Sequence, residues 1–116
     1  MSKKFQGQWE IIEMEQWDVE PGWFITLDNK GRGSLHFICV DVEIDYRIDK
    51  NNPKKADFTF YGSDEGDEVY GRGWFEIEDE QMTGFICFHQ GDDSTFTAEI
   101  MKTKKPAVKT KTVKRK

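Results

Sequence analysis

Nowhere in this chain do apolar residues run for anything near the roughly 20 positions a helix needs to cross a bilayer. The opening Met1-Ser2-Lys3-Lys4 leads into polar Gln6 and Gln8 rather than into the apolar core of a signal peptide. These two absences predict a cytoplasmic protein with no membrane association. Cysteine is scarce. Cys39 and Cys87 stand far apart and no Cys-x-x-Cys occurs, which removes a disulfide framework and a cysteine-based zinc site. Both lie within apolar strand patterns and are expected to be small buried hydrophobes. Sustained helical periodicity is missing as well, which argues against helical bundles. Aliphatic side chains are few: apolar residues make up 36% of the sequence, yet 16 of the 116 positions are Phe, Trp or Tyr. A core must therefore be built from large rings, and rings favour strands.

What the chain does have is a sharp division of charge. From Lys102 to Lys116 there are eight Lys or Arg and no acid, so the formal net charge of −5 leaves residues 1–101 at −13. A length of 116 residues is one domain, and the division places that domain at 1–102. Residues 103–116, with no apolar periodicity, read as a disordered basic tail. Clustered lysine gains affinity for phosphates by releasing counterions. The plain expectation is a solubilising or loosely associated tail; nucleic acid is not the expected partner, and any contact with it would run only through residues 103–116, because the acidic body repels phosphate.

Alternation of apolar and polar residues marks eight strands. Phe5 to Ile12 is the first, with Trp9 inward and a slip of phase at Ile11-Ile12 that predicts a bulge or bend. After Pro21-Gly22 comes Trp23 to Leu27, then the hairpin signal Asp28-Asn29-Lys30-Gly31 and a third strand from Arg32. Apolar residues occupy odd positions to Cys39 and even ones from Val40, so a bulge or tight turn is expected between Ile38 and Asp41. Asp49 to Lys55 reads as a surface loop, followed by a strand with Phe58 and Phe60. Gly62 to Glu68 holds four acids, but its spacing fits a solvated hairpin rather than a calcium loop. Val69 to Glu78, Met82 to His89 and Thr95 to Lys102 complete the set. Eight strands joined mainly by short turns predict an all-β antiparallel up-and-down meander closing into a small barrel. The rings, with Phe85 counted among them, offer enough volume to fill its interior.

Gly7-Gln8-Trp9 ahead of this run resembles the Gly-x-Trp signature of lipocalin-type (calycin) barrels, in which the tryptophan closes one end. Together with Trp17-Asp18, Gly31-Arg32-Gly33, Gly66-Asp67, Gly71-Arg72-Gly73-Trp74 and His89-x-Gly91-Asp92-Asp93-Ser94-x-Phe96, it resembles a family of small uncharacterised prokaryotic proteins over residues 5–100. The resemblance implies one compact domain and supplies no activity.

Candidate chemistry concentrates between Gly71 and Ile100. His89, Asp92 or Asp93, and Ser94 are the residue types of a nucleophilic triad, but six consecutive turn residues rarely arrange one, and a structural turn is the plainer expectation. His89 with Asp92 or His36 offers metal-ligand types without a spacing that demands a metal. Arg72 shares a face with Tyr70 and Trp74, so guanidinium stacking on a ring is natural. At a rim these residues, with His89, form a candidate ligand site for a carboxylate or phosphate; on an exterior they form a packing or contact patch. Phe85 and Cys87 on one face of their strand and Ile86 and Phe88 on the other leave neither side polar. Ile86, Phe88 and Trp17 are therefore candidate interface residues, covered by the segment around Met14 and Trp17 or by a second subunit. No cofactor and no metal is expected. The reading that results is a non-enzymatic protein-interaction module. The alternatives are a lipocalin-like barrel binding a small apolar or anionic molecule and, further off, a hydrolase-like or metal-dependent enzyme.

Overall fold

A computed structural model describes residues 5–101 of the chain. Expectations for the tail 103–116 lie outside the described residues. Eight strands follow one another: β1 (Gly7–Met14), β2 (Phe24–Leu27), β3 (Arg32–Phe37), β4 (Val40–Asp49), β5 (Asn52–Asp64), β6 (Asp67–Glu78), β7 (Gln81–Phe88) and β8 (Asp93–Ile100). Each pairs antiparallel with the next, and β1 pairs with β8, so the meander closes into a barrel. Among the described residues this closure leaves no free sheet edge. Among the described residues no helix is long and apolar enough to cross a membrane.

The pleat sorts the side chains. Along β4, Val40, Val42, Ile44 and Tyr46 are buried while Asp41, Glu43, Asp45 and Arg47 are exposed. The expected bulge in β1 is present: the register against β8 shifts between Ile11 and Glu13, which turns Ile12 outward and returns Met14 to the core. The phase change after Phe37 is a two-residue turn, with Phe37 paired to Val40. At Asp28-Asn29-Lys30-Gly31 the backbone N–H groups of Lys30 and Arg32 donate to Asp28 Oδ1, and Gly31 takes φ +92°.

Two connections are shorter than the sequence suggests. Residues 49–55 contain a turn of Lys50 and Asn51 only, and β5 begins at Asn52 and runs through Pro53. The acidic stretch 62–68 narrows to Glu65-Gly66, both at positive φ as a type I′ hairpin requires. Cross-strand pairing, which hydropathy does not reveal, carries these polar ends into the sheet.

Rings fill the interior from end to end. Phe5 packs on Phe75 (5.6 Å between centroids), Phe75 on Phe58 (5.2 Å), Phe58 on Phe60 (6.2 Å), Phe60 on Phe88 (5.1 Å), Phe88 on Phe37 (6.1 Å) and Phe37 on Trp17 (5.3 Å). Between them, Ile11, Ile25, Phe75 and Phe96 border a residual void of about 10 Å³, room for one water at most. Phe85 is the exception to the expected set. It faces outward opposite Trp74, and Ile86 and Phe88 take the inward positions of β7.

The two ends differ. Phe5 plugs the end at which the chain begins and β8 finishes, with the Trp9 Nε1–H donating to its carbonyl (3.0 Å). At the opposite end, the mouth, meet residues 15–23 and the turns after β3, β5 and β7.

Candidate functional site

The mouth is built by the segment that follows β1. Its backbone is tied to β8: the Glu15 N–H donates to the Thr95 carbonyl (3.1 Å) and the Gln16 N–H to Ser94 Oγ (3.1 Å). Gln16 Nε2 adds a bond to the Asp93 carbonyl (3.1 Å). These anchors set Trp17 over Phe37 and edge-on to Phe88 (6.5 Å). Beside it the turn after β7 is held by the His89 N–H donating to the Tyr70 carbonyl (2.8 Å) and the Phe88 N–H to that of Asp92 (3.0 Å). The result is a cleft of about 330 Å³ with Trp17, Phe37 and Phe88 in its floor and Tyr70, His89, Asp64, Glu68 and Asp92 in its walls.

Tyr70 and His89, both candidates from the sequence, come together here: their rings stack at 4.8 Å with 18° between planes. Arg72 and Trp74 do not join them. They lie farther along the outer wall of β6, where Lys55 Nζ sits 5.1 Å over the Trp74 ring. The expected stacking of Arg72 on a ring is not formed. Arg72 instead lines an exterior groove with Asp45, Arg47 and Asp57. Of the three candidate interface residues, Trp17 and Phe88 line the cleft. Ile86 is 1% exposed and belongs to the core, because the parity of β7 sends it into the lumen. The face of β7 that does look outward carries Phe85 and Cys87, both half-buried beside their neighbours on β6 and β8.

No protein-family model, curated protein or solved structure matches the chain.

The turn residues His89, Asp92, Asp93 and Ser94 do not assemble a triad. Ser94 is fully buried, and its hydroxyl donates to the Thr95 carbonyl (2.8 Å) while accepting from Gln16. His89 is turned to the outer rim against Tyr70. His36 is on the outer wall with Nδ1 2.7 Å from Asp41 Oδ1. Among the described residues no group of three or more His, Cys, Asp or Glu side chains could hold a metal ion.

Both cysteines are free, and neither is the buried hydrophobe expected. Cys39 is exposed at the tip of the turn after β3, where its thiol donates to Glu65 Oε2 (3.4 Å), and that hydrogen bond raises its pKa. The odd-position pattern ends at Phe37, and the tight turn rotates Cys39 out of phase with it. Cys87 takes an outward position on β7.

Three residues of the mouth are not evident from the sequence. Phe37 is legible there as core but not as the floor of a cleft. Ile38 stands at the rim with φ +54°, a left-handed conformation costly for a β-branched side chain, about 1–3 kcal/mol. Asp64 belongs by composition to a solvated loop, yet it keeps the inward parity of Phe58, Phe60 and Gly62 and is half-buried. Counting by twos past Phe60 is the signal that finds it.

Proposed function

We propose that this protein is a non-enzymatic interaction module that receives a segment of a partner protein at the mouth of its barrel. The observation that carries the reading is the contrast between the two apolar regions. The lumen is packed with rings and has no room for a ligand, whereas the mouth keeps Trp17 and Phe88 half-exposed over the buried Phe37 in a cleft of about 330 Å³. Apolar rings left accessible between polar walls are how binding surfaces differ from ordinary exteriors. The strained Ile38 at the same rim agrees with this, since backbone strain collects at functional sites. The buried, doubly bonded hydroxyl of Ser94 favours a structural role for the turn after β7 over a nucleophilic one. A cytoplasmic setting suits the two free cysteines.

A second reading, a lipocalin-like binder of a small molecule, finds support in the cleft volume, which falls at the lower end of the range for ligand sites. It would place the ligand at the rim rather than inside the barrel.

Photocrosslinking in the host cell separates these. A photoreactive residue in place of His89 at the mouth should yield a protein adduct, and the same residue in place of Thr83, on the outer wall toward the other end, should not. Adducts from Thr83 alone, or from neither position, would refute the mouth as a protein-binding site.

A further inference from the structure

The distribution of charge around the barrel says what kind of segment the mouth receives. Four stretches converge there, 13–23, 36–43, 62–70 and 88–95, and they hold four, two, four and two Asp or Glu. None of them holds a Lys or Arg. The seven Lys and Arg of the described residues all lie elsewhere. Lys30, Arg32, Arg47, Lys50, Lys54 and Lys55 sit toward the plugged end, and Arg72 stands on the outer wall. Within a Debye length of about 8–10 Å, an anionic or phosphate-bearing group approaching the mouth meets only like charge from the described Asp, Glu, Lys and Arg residues. Arg72, the residue that made an anionic ligand conceivable, does not line the cleft.

Two details turn a negative field into a binding preference. Asp64 faces the inside of the rim, half-buried, and its cross-strand neighbour on β6 is Asp67 rather than a cation. Among the described residues no salt bridge involves Asp64, Glu68 or Asp92. Trp17, Phe88 and Tyr70, the last with its ring stacked on His89, line the cleft with these carboxylates. Rings with carboxylates behind them are the chemistry that holds ammonium and guanidinium groups, through cation–π attraction and charge together. The aliphatic stem of a lysine or arginine suits an apolar floor.

We propose that the mouth cleft is a receptor for a basic peptide segment, with a lysine or arginine side chain inserted over Trp17 and Phe88 and its charge met by Asp64 and Asp92. The proposal rests on the interaction reading above and names the chemistry of the partner. The sequence contains one segment of that chemistry itself, residues 102–116 with eight Lys or Arg and no acid. It follows Met101, whose N–H bonds the Gln8 carbonyl at the plugged end. Occupancy by this chain's own residues, in one copy or between two, is therefore one outcome that the test must recognise.

The test is amide and indole NMR of the full chain titrated with a hexalysine peptide, with hexaglutamate as control. A second full-length chain, in which the eight basic residues of 102–116 are replaced by Gln, is titrated in parallel. Hexalysine is expected to shift Tyr70, His89, Gly91 and the Trp17 indole N–H, and hexaglutamate to leave them in place. Binding should weaken at least five-fold in Asp64→Asn/Asp92→Asn, a pair at the rim and surface whose replacement leaves the remaining resonances unmoved. Shifts at the mouth seen only in the Gln-substituted chain would support the receptor and identify residues 102–116 as its resident occupant. Shifts spread evenly over the acidic outer wall, or none in either chain, or the same shifts with hexaglutamate, would overturn the proposal. If the His89 crosslink persisted in that case, the interaction reading would stand and only the basic chemistry of the partner would fall.

Discussion

Asp28 accepts hydrogen bonds from the backbone N–H groups of Arg32 and Lys30, and these, Arg32's first, hold its carboxyl below the usual carboxylate range. A carboxylate with a depressed folded-state pKa stabilises the native protein above its unfolded-state pKa of about 3.9. That contribution is lost as pH falls through the lower folded value. Asp28→Ala is therefore expected to lower the urea midpoint at neutral pH, with the gap between variant and parent closing as the solution is taken well below pH 4. A gap that stayed constant across that window would show that Asp28 acts through something other than its ionised form. The turn is legible in the sequence because Asp and Gly are the residues this geometry demands. Ile38 is not legible in the same way: no residue preference favours a β-branched side chain at positive φ. Only the pairing of Phe37 with Val40 places it there.

At the scale of strands, the period of two locates all eight and the bulge in β1. It fails at their ends, where the alternation is carried by polar side chains. Lys54 is a loop residue by composition, yet it stands in β5 with its Nζ 3.4 Å from Glu78 Oε1 on β6. The glycines of β6 are legible as unusual, and the register gives the reason. Gly71 lies opposite Phe60 and Gly73 opposite Phe58. A Cβ at Gly73 would collide with the Phe85 carbonyl oxygen of the paired strand β7 and fall 2.7 Å from Phe58 Cζ, so backbone as well as ring would have to move. Gly73→Ala should therefore cost about 1–3 kcal/mol, as overpacking does, read as a lower urea midpoint with an unchanged slope. A loss below about 0.5 kcal/mol, the usual bound for changes without a packing consequence, would mean that the β6–β7 backbone at Phe85 yields along with Phe58.

For the molecule as a whole, the question is why twelve acids share one end of a barrel with no Lys or Arg of the described residues among them. Stability alone would disperse them, since like charges directly opposite on paired strands are unfavourable by about 0.2–1 kcal/mol. Asp64 and Asp67 are such a pair. If the arrangement is kept for binding, then relieving it should improve the fold and harm the site at once, the trade that binding sites commonly show. Asp64→Asn separates the two effects because it keeps the shape of the side chain and removes only the charge. Its urea midpoint is expected to exceed that of the parent at low ionic strength. The excess should shrink as salt shortens the Debye length from about 30 Å at 0.01 M to about 8 Å at 0.15 M. The same variant should bind hexalysine more weakly than the parent at every salt concentration at which binding is measurable. A variant that lost stability instead would make Asp64 a structural acid with a favourable partner, and the concentration of carboxylates at the mouth would then need no ligand to account for it.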